Sequence, residues 1–401
     1  MEKKTIDDVN LKDKKVIVRV DFNVPLNAEG VITDDTRIQA ALPTIKKILG
    51  EGAALILMSH LGRPKGEAKP ELSLKVAADY LSKLLGQDIT MAPDCIGAEV
   101  KALAADLKAG EILMLENTRY HAAEDTKKEE LKEAQQEMAK ELASLADVYV
   151  NDAFGTAHRA HASTAIIADY IDTAVAGYLM DKEIKYLGNT IANPAKPFVA
   201  IIGGAKVSGK LQVLKSLMGT CDTIIIGGGM AFTFKKAMGQ QIGDSLCEDD
   251  LVQTAIETLE AAKEAGTKIL IPVDSVAADK FGADANTQVT HGDIKEGWMG
   301  LDIGPESTET FCKELATAKT ILWNGPMGCF EMEPFSHGTF AVCKAVAVAD
   351  ATSIIGGGDS VAAVNQSGMA DQMSHISTGG GASLEYLEGK VLPGIACLND
   401  K

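Results

Sequence analysis

The stretch "SIIGGGDSVAA", residues 353–363, runs a short β-branched apolar segment directly into three glycines, an aspartate and a serine. Related stretches are "VAIIGGAKVSGK" (199–210), "TIIIGGGMAF" (223–232) and "HISTGGGASL" (375–384). A continuous apolar run that ends in a glycine turn before a helical pattern is typical of a parallel strand buried on both faces. Ligands bind beyond the carboxyl ends of such strands, so the four turns mark one candidate ligand-binding edge.

The glycines of these turns have two interpretations. Glycine is common at any strand-to-helix turn, and a single pair would carry no functional meaning. Glycine also lets backbone N–H groups approach phosphate oxygens at a helix N-terminus. Four clusters, accompanied by Lys206, Lys210 and Asp359, favour a nucleotide site.

Two standard nucleotide motifs fit this sequence poorly. Gly204 to Lys210 satisfies the GxxxxGK pattern, but Leu211 occupies the place of the Ser or Thr that ligates magnesium in a P-loop. "GGGDSV" (356–361) begins like a dinucleotide-binding fingerprint but lacks its third glycine. A P-loop NTPase and a dinucleotide dehydrogenase are therefore both disfavoured. Asp359 is the candidate magnesium ligand.

Apolar runs and helical patterns alternate along the whole chain, which predicts a doubly wound α/β fold. The runs include "VIVRV" (16–20), "ILML" (112–115) and "TILW" (320–323). A length of 401 residues favours two or three domains. A helical segment near 180–192 is followed by prolines at 194 and 197, and we expect the domain boundary there.

Charge and cysteine usage exclude several classes of partner. The net charge of −17 argues against binding to nucleic acid or to an anionic membrane. The start of the sequence resembles no signal peptide, and no apolar run is long enough to cross a bilayer. Seven cysteines without a CxxC pair indicate a reducing, cytoplasmic location, with neither disulfides nor a zinc site.

The arginines are few and are confined to the first 159 residues. They are Arg19, Arg37, Arg63, Arg119 and Arg159. Ordinary surface arginines would be scattered along the chain, whereas arginines used for fork-shaped contacts with an anion would be grouped. Several of them, with His60 and His158, directly follow predicted strands. This pattern predicts a site for a small phosphorylated and carboxylated molecule in the first half of the chain.

The combination of motifs resembles the phosphoglycerate kinase family from about residue 5 to the end of the chain. The motifs, in order, are "RVDFNVP" (19–25), "SHLGRP" (59–64), "GTAHRAH" (155–161), "GGAKVSGK" (203–210), "GWMGLDIGPES" (297–307), "WNGPMGCFE" (323–331), "GGGDS" (356–360) and "STGGGAS" (377–383). The resemblance implies two doubly wound parallel-sheet domains joined by a hinge helix, with a C-terminal tail that returns to the first domain. It places a 3-phosphoglycerate domain at 1–176 plus about 388–401, a connecting helix at 177–193 and a nucleotide domain at 194–387.

By this resemblance, one group of residues surrounds 3-phosphoglycerate: Asp21, Phe22, Asn23, Arg37, His60, Leu61, Gly62, Arg63, Arg119 and Arg159. A second group binds Mg-ATP or Mg-ADP: Lys210, Gly300, Asn324, Glu331, Gly357, Gly358, Asp359 and Ser360. Within it, Glu331 lies at the ribose and Asp359 on Mg²⁺. The groups expected to act on the transferred phosphoryl are Arg37, Lys206, Gly358 and Gly380. Ser360 and Gly209 depart from the threonine and the aspartate that are frequent in the family.

The implied reaction is reversible phosphoryl transfer between ATP and the carboxylate of 3-phosphoglycerate, a glycolytic step that needs hinge closure of the two domains. We expect a monomer with only small-molecule partners. A carboxylate is already ionised at neutral pH, so its attack needs no general base. A two-domain binding protein without chemistry remains the alternative from another functional class.

Overall fold

The computed structural model describes residues 2–401, apart from the side chains of residues 189 and 191. The chain forms two compact units. Unit 1 extends to Lys185 and includes Val391–Lys401, and unit 2 is Tyr186–Lys390. None of the helices among the described residues is long and apolar enough to cross a membrane. The domain limits expected from the sequence, and the ligand assigned to each domain, stay predictions.

Unit 1 contains a six-stranded parallel sheet. Its strands are β1 (Lys15–Val20), β2 (Ala54–Met58), β3 (Thr90–Met91), β4 (Ile112–Met114), β5 (Val148–Asp152) and β6 (Ala174–Ala176). Their order is β3-β4-β2-β1-β5-β6, and all neighbours pair in parallel. Every residue of β2 and β5 is buried, as expected for strands covered on both faces. The chain leaves β1 toward β2 and later returns to its other side at β5, so the ends of these strands flank a topological switch point.

Helices cover this sheet and supply its core. They are α1 (Thr36–Gly50), α2 (Lys75–Leu85), α3 (Ala98–Asp106), α4 (Lys132–Ala143), the first part of α5 (Tyr178–Ala192) and, from the C-terminal segment, α13 (Pro393–Ala396). From Tyr186 onward, α5 belongs to unit 2. Ile38, Ile45 and Ile48 recur at helical spacing on α1 and pack against β1 and β2 in one apolar cluster. Because the helices are packed against the sheet, the loops that join them to the strand ends have fixed end points.

Unit 2 contains a second six-stranded parallel sheet and a small antiparallel one. The strands are β7 (Phe198–Ile202), β8 (Thr223–Ile226), β9 (Lys268–Leu270), β10 (Asp274–Ala278), β11 (Thr287–His291), β12 (Met299–Ile303), β13 (Thr320–Asn324), β14 (Thr352–Gly356) and β15 (His375–Ile376). The parallel order is β15-β14-β13-β7-β8-β9, and the antiparallel order is β11-β10-β12. The switch point lies between β7 and β13.

The helices of unit 2 lie between these strands in the sequence. They are α6 (Leu211–Leu217), α7 (Met230–Ala237), α8 (Val252–Glu264), α9 (Pro305–Thr317), α10 (His337–Val348), α11 (Gly358–Gln366) and α12 (Gly381–Leu387). The expectation of two parallel-sheet α/β domains is confirmed. The antiparallel sheet was not predicted, because strand β11, "TQVTH", is largely exposed and has no continuous apolar run.

The C-terminal tail packs within unit 1, as the resemblance implied. Lys3 Nζ lies 2.8 Å from Asp400 Oδ1, and the Asn399 backbone N–H donates to the Ala174 carbonyl at 2.8 Å. Asn151 Nδ2 donates to the Gly394 carbonyl at 3.0 Å. The tail thus contacts both the chain start and the ends of β5 and β6.

A buried carboxylate holds the start of α5. Asp152, the last residue of β5, accepts hydrogen bonds from the backbone N–H groups of Leu179 at 2.9 Å and Met180 at 3.1 Å. Burial raises the pKa of Asp152 to about 7. The folded protein therefore binds a proton that the unfolded chain has already lost between about pH 4 and pH 7.

Asp152→Asn is expected to become progressively more stable than the wild type as the pH rises from about 4 to about 7, and to keep a constant advantage above that. Ionisation of Asp152 opposes folding in this window, by up to about 1.4 kcal/mol per pH unit, and asparagine keeps an acceptor without ionising. Thermal unfolding midpoints measured at four pH values check this. Asp172→Asn, at an exposed carboxylate, should show no such trend, and a pH-independent difference for Asp152→Asn would contradict the prediction.

Candidate active site

Arg37 lies in the first turn of α1 and is held by the end of β1. Its Nη1 donates to Asp21 Oδ2 at 2.8 Å, and its side chain is 37% exposed. The Asp21 carboxylate also accepts from the Asn23 backbone N–H at 3.3 Å. One edge of the guanidinium is therefore fixed to the protein, and the remaining N–H groups are available to a ligand.

The loops after β1, β2 and β4 are joined by side-chain contacts. Asn23 Oδ1 accepts from the Gly62 N–H at 2.8 Å, and Arg119 Nη1 donates to the Gly62 carbonyl at 3.0 Å. Arg119 is nearly buried and its Nε lies 3.3 Å from Asp125 Oδ2. Arg63 and Arg159 are exposed, and Arg159 Nε donates to His158 Nε2 at 3.0 Å. The structure thus links Arg119 to the turn at Gly62. We call the loops after β1, β2, β4 and β5, with the arginines at positions 37, 63, 119 and 159, the rim of unit 1.

Arg19 differs from what the arginine pattern predicts. It is fully buried, and its guanidinium donates to Ser163 Oγ at 2.9 Å, to the Val20 carbonyl and to His60 Nδ1 at 3.0 Å. Residue 19 points into the protein because it lies within β1 rather than after it. The expectation that all the arginines face an anion is therefore wrong for Arg19, which orients His60 instead.

His60 and His161 are held neutral. Burial and the charges of Arg19, Arg119 and Arg37 lower the pKa of His60 well below its usual range. Burial and the neighbouring arginines lower the pKa of His161 to about 3. Because arginine always donates, His60 Nδ1 accepts from Arg19 and the ring proton lies on Nε2. His60 is thus a hydrogen-bond donor at Nε2, not a base.

The buried carboxylate of Glu124 is linked to Arg19 through Ser163. Glu124 is fully buried and accepts from Ser163 Oγ at 2.5 Å, from the Ser163 N–H at 3.0 Å and from Thr118 Oγ1 at 3.3 Å. The chain Glu124–Ser163–Arg19–His60 fixes the imidazole through successive hydrogen bonds.

Phe22 and Leu61 have side chains in the apolar core of unit 1. The Phe22 N–H donates to Ser59 Oγ at 2.9 Å, and its carbonyl accepts from the Val24 N–H at 2.8 Å. The expected contact of Phe22 with a ligand stays a prediction, and its backbone is already hydrogen-bonded on both sides.

The glycine turns of unit 2 serve two purposes. At the switch point, a Cβ on Gly203 would lie 2.2 Å from the Pro326 carbonyl oxygen, and one on Gly325, whose φ is +106°, would lie 2.1 Å from the Gly203 carbonyl oxygen. These two glycines are required by the close approach of the loops after β7 and β13. At Gly204, Gly358 and Gly380, by contrast, a Cβ would meet no atom within 4 Å, so these positions leave open space.

A cavity of about 300 Å³ lies among these turns. Its lining includes the predicted phosphate-binding residues Lys206, Lys210, Gly357, Gly358, Asp359, Ser360 and Gly380. It also includes Asn324, which the resemblance placed on the nucleoside side. Helix α11 begins here at Gly358, so its N-terminal N–H groups favour an anion. The Ser360 hydroxyl is buried and accepts from the Gly325 N–H at 2.5 Å, which gives it a structural role at the turn.

Lys210 and Asn324 are paired at the floor of this cavity. Lys210 Nζ donates to Asn324 Oδ1, and burial lowers the pKa of Lys210 while Asp359 and Glu388 oppose that shift. Asn324 is 1% exposed, and its Nδ2 has no hydrogen-bond partner within residues 2–401 as described. An acceptor such as a phosphate oxygen would satisfy this amide.

A larger cavity of about 480 Å³ adjoins the first and shares Gly204, Ala205 and Asp359 with it. Of the three residues expected on the nucleoside side, Gly300 and Glu331 line it, whereas Asn324 does not. Its volume is in the range of small-molecule sites. The two cavities together therefore contain the expected nucleotide residues.

Asp359 suits a divalent cation bound with phosphates. It is exposed, lies in the first turn of α11 and lines both cavities. Magnesium in phosphoryl-transfer sites is usually held by one or two carboxylates and by the substrate phosphates. Another group, Asp94, Cys95 and His121, has ligand atoms within 4.8 Å of one another. There His121 Nε2 and Asp94 Oδ1 already bond at 2.7 Å, and burial raises the pKa of the Cys95 thiol.

Sequence reasoning missed Ser163 and Glu124, and it missed Phe232, Lys235 and Ser275 in the larger cavity. Lys235 follows Phe232 by three residues on α7, which places it on the buried face of that helix. Helical spacing could therefore have indicated that Lys235 lies on the same face as Phe232. No local pattern could have indicated Glu124, because its contact with Ser163 joins residues 39 positions apart.

The family model described as Phosphoglycerate kinase matches residues 6–390. The chain is 57% identical over 404 residues to the phosphoglycerate kinase of Chloroherpeton thalassium, which covers 100% of both proteins. It is 55% identical over 402 residues to that of Clostridium tetani, which covers 100% of this chain and 98% of the relative.

Two solved structures are similar over nearly the whole chain. The phosphoglycerate kinase structure from Coxiella burnetii has a TM-score of 0.90 and 42% identity, with 99% of this chain and 98% of that one covered. The structure from Pyrococcus horikoshii has a TM-score of 0.83 and 33% identity, with 98% of each covered. The similarity therefore extends over both units.

Proposed function

The chain belongs to the phosphoglycerate kinase family, as its motifs predict, and we propose which of its residues carry that family's reaction. The enzyme transfers a phosphoryl group reversibly between ATP and the carboxylate of 3-phosphoglycerate, a step of glycolysis. Its substrates are small molecules.

The rim of unit 1 is the proposed 3-phosphoglycerate site. Arg37, His60 and Arg119 converge there, and Arg63 and Arg159 add exposed cations at the same strand ends. Guanidinium groups suit the carboxylate and the phosphate of this substrate, because each can make two parallel hydrogen bonds. Asp21 orients Arg37 and Asn23 orients Gly62 through hydrogen bonds. These two residues therefore position the groups that are proposed to contact the ligand.

The two adjoining cavities of unit 2 are the proposed nucleotide site, and this continuity is the observation that carries the assignment. The phosphates lie at the start of α11 with Lys206, Lys210 and Asn324, and the nucleoside extends toward Gly300 and Glu331. Magnesium, held at Asp359, neutralises phosphate charge when it is bound.

The proposed chemistry uses alignment and charge stabilisation without a general base. The attacking carboxylate is ionised at neutral pH. The neutral, Nε2-protonated His60 accordingly serves as a donor. Lys206, Arg37 and the N–H groups of Gly358 and Gly380 are the proposed contacts to the transferring group in a loose, in-line transition state.

A coupled assay tests the function. With ATP, Mg²⁺ and 3-phosphoglycerate, we expect ATP consumption that depends on 3-phosphoglycerate. Nucleotide and 3-phosphoglycerate binding without any turnover would instead support the binding-protein alternative. We further propose that the enzyme acts in the cytoplasm, consistent with the free state of its seven cysteines, and that it acts as a monomer.

Scattering tests the proposed hinge closure. In-line transfer needs reacting atoms about 3 to 3.5 Å apart, and the two substrates are assigned to different units. We expect the radius of gyration to fall when 3-phosphoglycerate and a non-hydrolysable Mg-ATP analogue are both present, and to fall less with either alone. Identical small-angle curves for the unbound and doubly bound protein would argue against closure.

A further inference from the structure

Three side chains of unit 1 form a group with the donor types of a metal site. A carboxylate oxygen of Asp94, the Sγ of Cys95 and a ring nitrogen of His121 all lie within 4.8 Å of one another. None of the three is among the residues proposed to bind a substrate. The expectation of no zinc site depended on the absence of a CxxC pair, and a group of three different residue types from two loops does not display that pattern.

The fold brings these residues together beyond two neighbouring strands. Asp94 and Cys95 lie in the loop between β3 and α3, and His121 follows β4. Because β3 and β4 pair in parallel, their carboxyl ends lie side by side. The Glu116 N–H donates to the Asp94 carbonyl at 3.2 Å and so joins the two loops. The backbone therefore positions the three side chains by itself, and an ion needs little rearrangement to bind them.

The Asp94 carboxylate is the common partner of the other two groups. His121 Nε2 lies 2.7 Å from Asp94 Oδ1, and the Cys95 thiol also interacts with this carboxylate. Burial and the charges of Asp94 and Glu124 raise the pKa of the Cys95 thiol. The two carboxylates thus create a negative potential at the sulfur, and this potential favours a metal cation as well as a proton.

The separations suit an ion of the size of zinc. Zinc lies about 2.3 Å from a thiolate and about 2.0 to 2.1 Å from imidazole nitrogen or carboxylate oxygen, so tetrahedral ligand atoms are about 3.3 to 3.6 Å apart. His121 Nε2 and Asp94 Oδ1, now 2.7 Å apart, need to separate by only about 0.6 Å. The side chains of His121 and Asp94 are 30% and 44% exposed, whereas Cys95 is fully buried. An ion can therefore enter between the two exposed ligands and reach the sulfur on the protein side.

We propose that Asp94, Cys95 and His121 bind a divalent cation of the zinc class, with water as the fourth ligand. Thiolate and imidazole are ligands for Zn²⁺ and Co²⁺, whereas Mg²⁺ prefers oxygen, so this site is distinct from the magnesium site proposed at Asp359. Binding releases the thiol proton to solvent. The imidazole proton moves from Nε2 to Nδ1, which leaves the Nε2 lone pair for the metal. The bound ion joins the loops after β3 and β4.

Titration of the full chain with Co²⁺ tests the site, because a cobalt–thiolate bond gives a charge-transfer absorption band in the near ultraviolet. The titration is done without nucleotide and with excess Mg²⁺, which occupies sites built from oxygen ligands. We expect one equivalent of Co²⁺ to produce the band and Zn²⁺ to remove it by displacement. Cys95→Ser should abolish the band, and His121→Gln should weaken the apparent affinity by about tenfold or more.

Cys247→Ser is the matched control and should leave the band unchanged. Cys247 also lies beside a carboxylate, with its Sγ 3.3 Å from Asp249 Oδ1. Among the described residues, however, no histidine completes a group of three ligands around it.

A wild type without the band would overturn the proposed metal site, as would a band that persists in Cys95→Ser or disappears in Cys247→Ser. If Cys95→Ser folds poorly, Asp94→Asn and His121→Gln decide, and an unchanged Co²⁺ affinity in both would also overturn the site. Zn²⁺ should raise the thermal unfolding midpoint of the wild type more than that of His121→Gln, because an ion bound to the folded state stabilises it. An equal rise in both would place the ion elsewhere and overturn the site. None of these measurements uses phosphoryl transfer, so their failure leaves the proposed function intact.

Discussion

Arg37→Lys is expected to lower kcat at least tenfold, a loss of about 1.4 kcal/mol of transition-state stabilisation. Arg37 keeps one nitrogen on Asp21 at 2.8 Å and has further N–H groups for the substrate. Lysine has a single nitrogen, which the Asp21 carboxylate would attract. The charge would remain, but the second contact of the fork to the carboxylate or the transferring group would be lost.

Steady-state kinetics of Arg37→Lys should show the loss in kcat as well as in kcat/KM, because the contact is proposed to strengthen in the transition state. Lys47→Met on the same helix is the control. Lys47 pairs with Asp7 and Glu51 and should leave kcat within twofold. A near-normal kcat for Arg37→Lys would remove Arg37 from the proposed catalytic groups.

The parallel sheets could be predicted because their strands are buried on both faces. "TILW" (320–323) and "FVAII" (198–202) are continuous apolar runs, and the structure buries every residue of β13 and β7. The antiparallel sheet carries a weaker signal, because β11 is largely exposed and β12 alternates partly buried with buried residues over its first four positions. Strand β10 is mostly buried, but its sequence "DSVAA" is not a continuous apolar run. Continuous apolar runs therefore located the parallel strands and missed the antiparallel sheet.

Strand ends predicted the proposed site better than residue type did. Arg119 follows β4, and Arg37 and Lys210 begin helices beside other strand ends, and all three lie at the rim or in the cavity. Arg19 has the same side chain but lies inside β1, so it is buried and forms hydrogen bonds with His60 and Ser163. Among the glycines, sequence could not separate Gly203 and Gly325, fixed by backbone packing, from Gly358 and Gly380, which leave open space.

The larger cavity of unit 2 shows why the proposed nucleoside end of the site was harder to predict than the proposed phosphate end. Phosphate binding depends on backbone N–H groups and glycines, which the sequence displays in clusters. The wall beside Lys235 combines α7 with β10, elements 40 residues apart at the Lys235–Ser275 bond. That pairing depends on tertiary structure, and no local pattern reports it.

Asp359→Asn is expected to raise the Mg²⁺ concentration needed for half-maximal activity at least tenfold, with less than a twofold change in KM for 3-phosphoglycerate. Asparagine keeps the shape of the side chain but removes the charge that a hard cation prefers. Asp359 lies on α11 in unit 2, whereas the proposed 3-phosphoglycerate residues lie in unit 1, so the second substrate should be unaffected.

The same substitution should have an opposite effect on nucleotide binding without metal. The Asp359 carboxylate lies in the first turn of α11, where it repels the phosphates that the helix N-terminus attracts. Metal-free ADP is therefore expected to bind Asp359→Asn at least as tightly as it binds the wild type, while Mg-ADP binds more weakly. Calorimetric titration with and without Mg²⁺ measures both, and Asp371→Asn, an exposed carboxylate outside both cavities, is the control. If Asp359→Asn instead weakened both forms of ADP equally, Asp359 would act on the nucleotide directly and the metal ligand would have to be sought elsewhere.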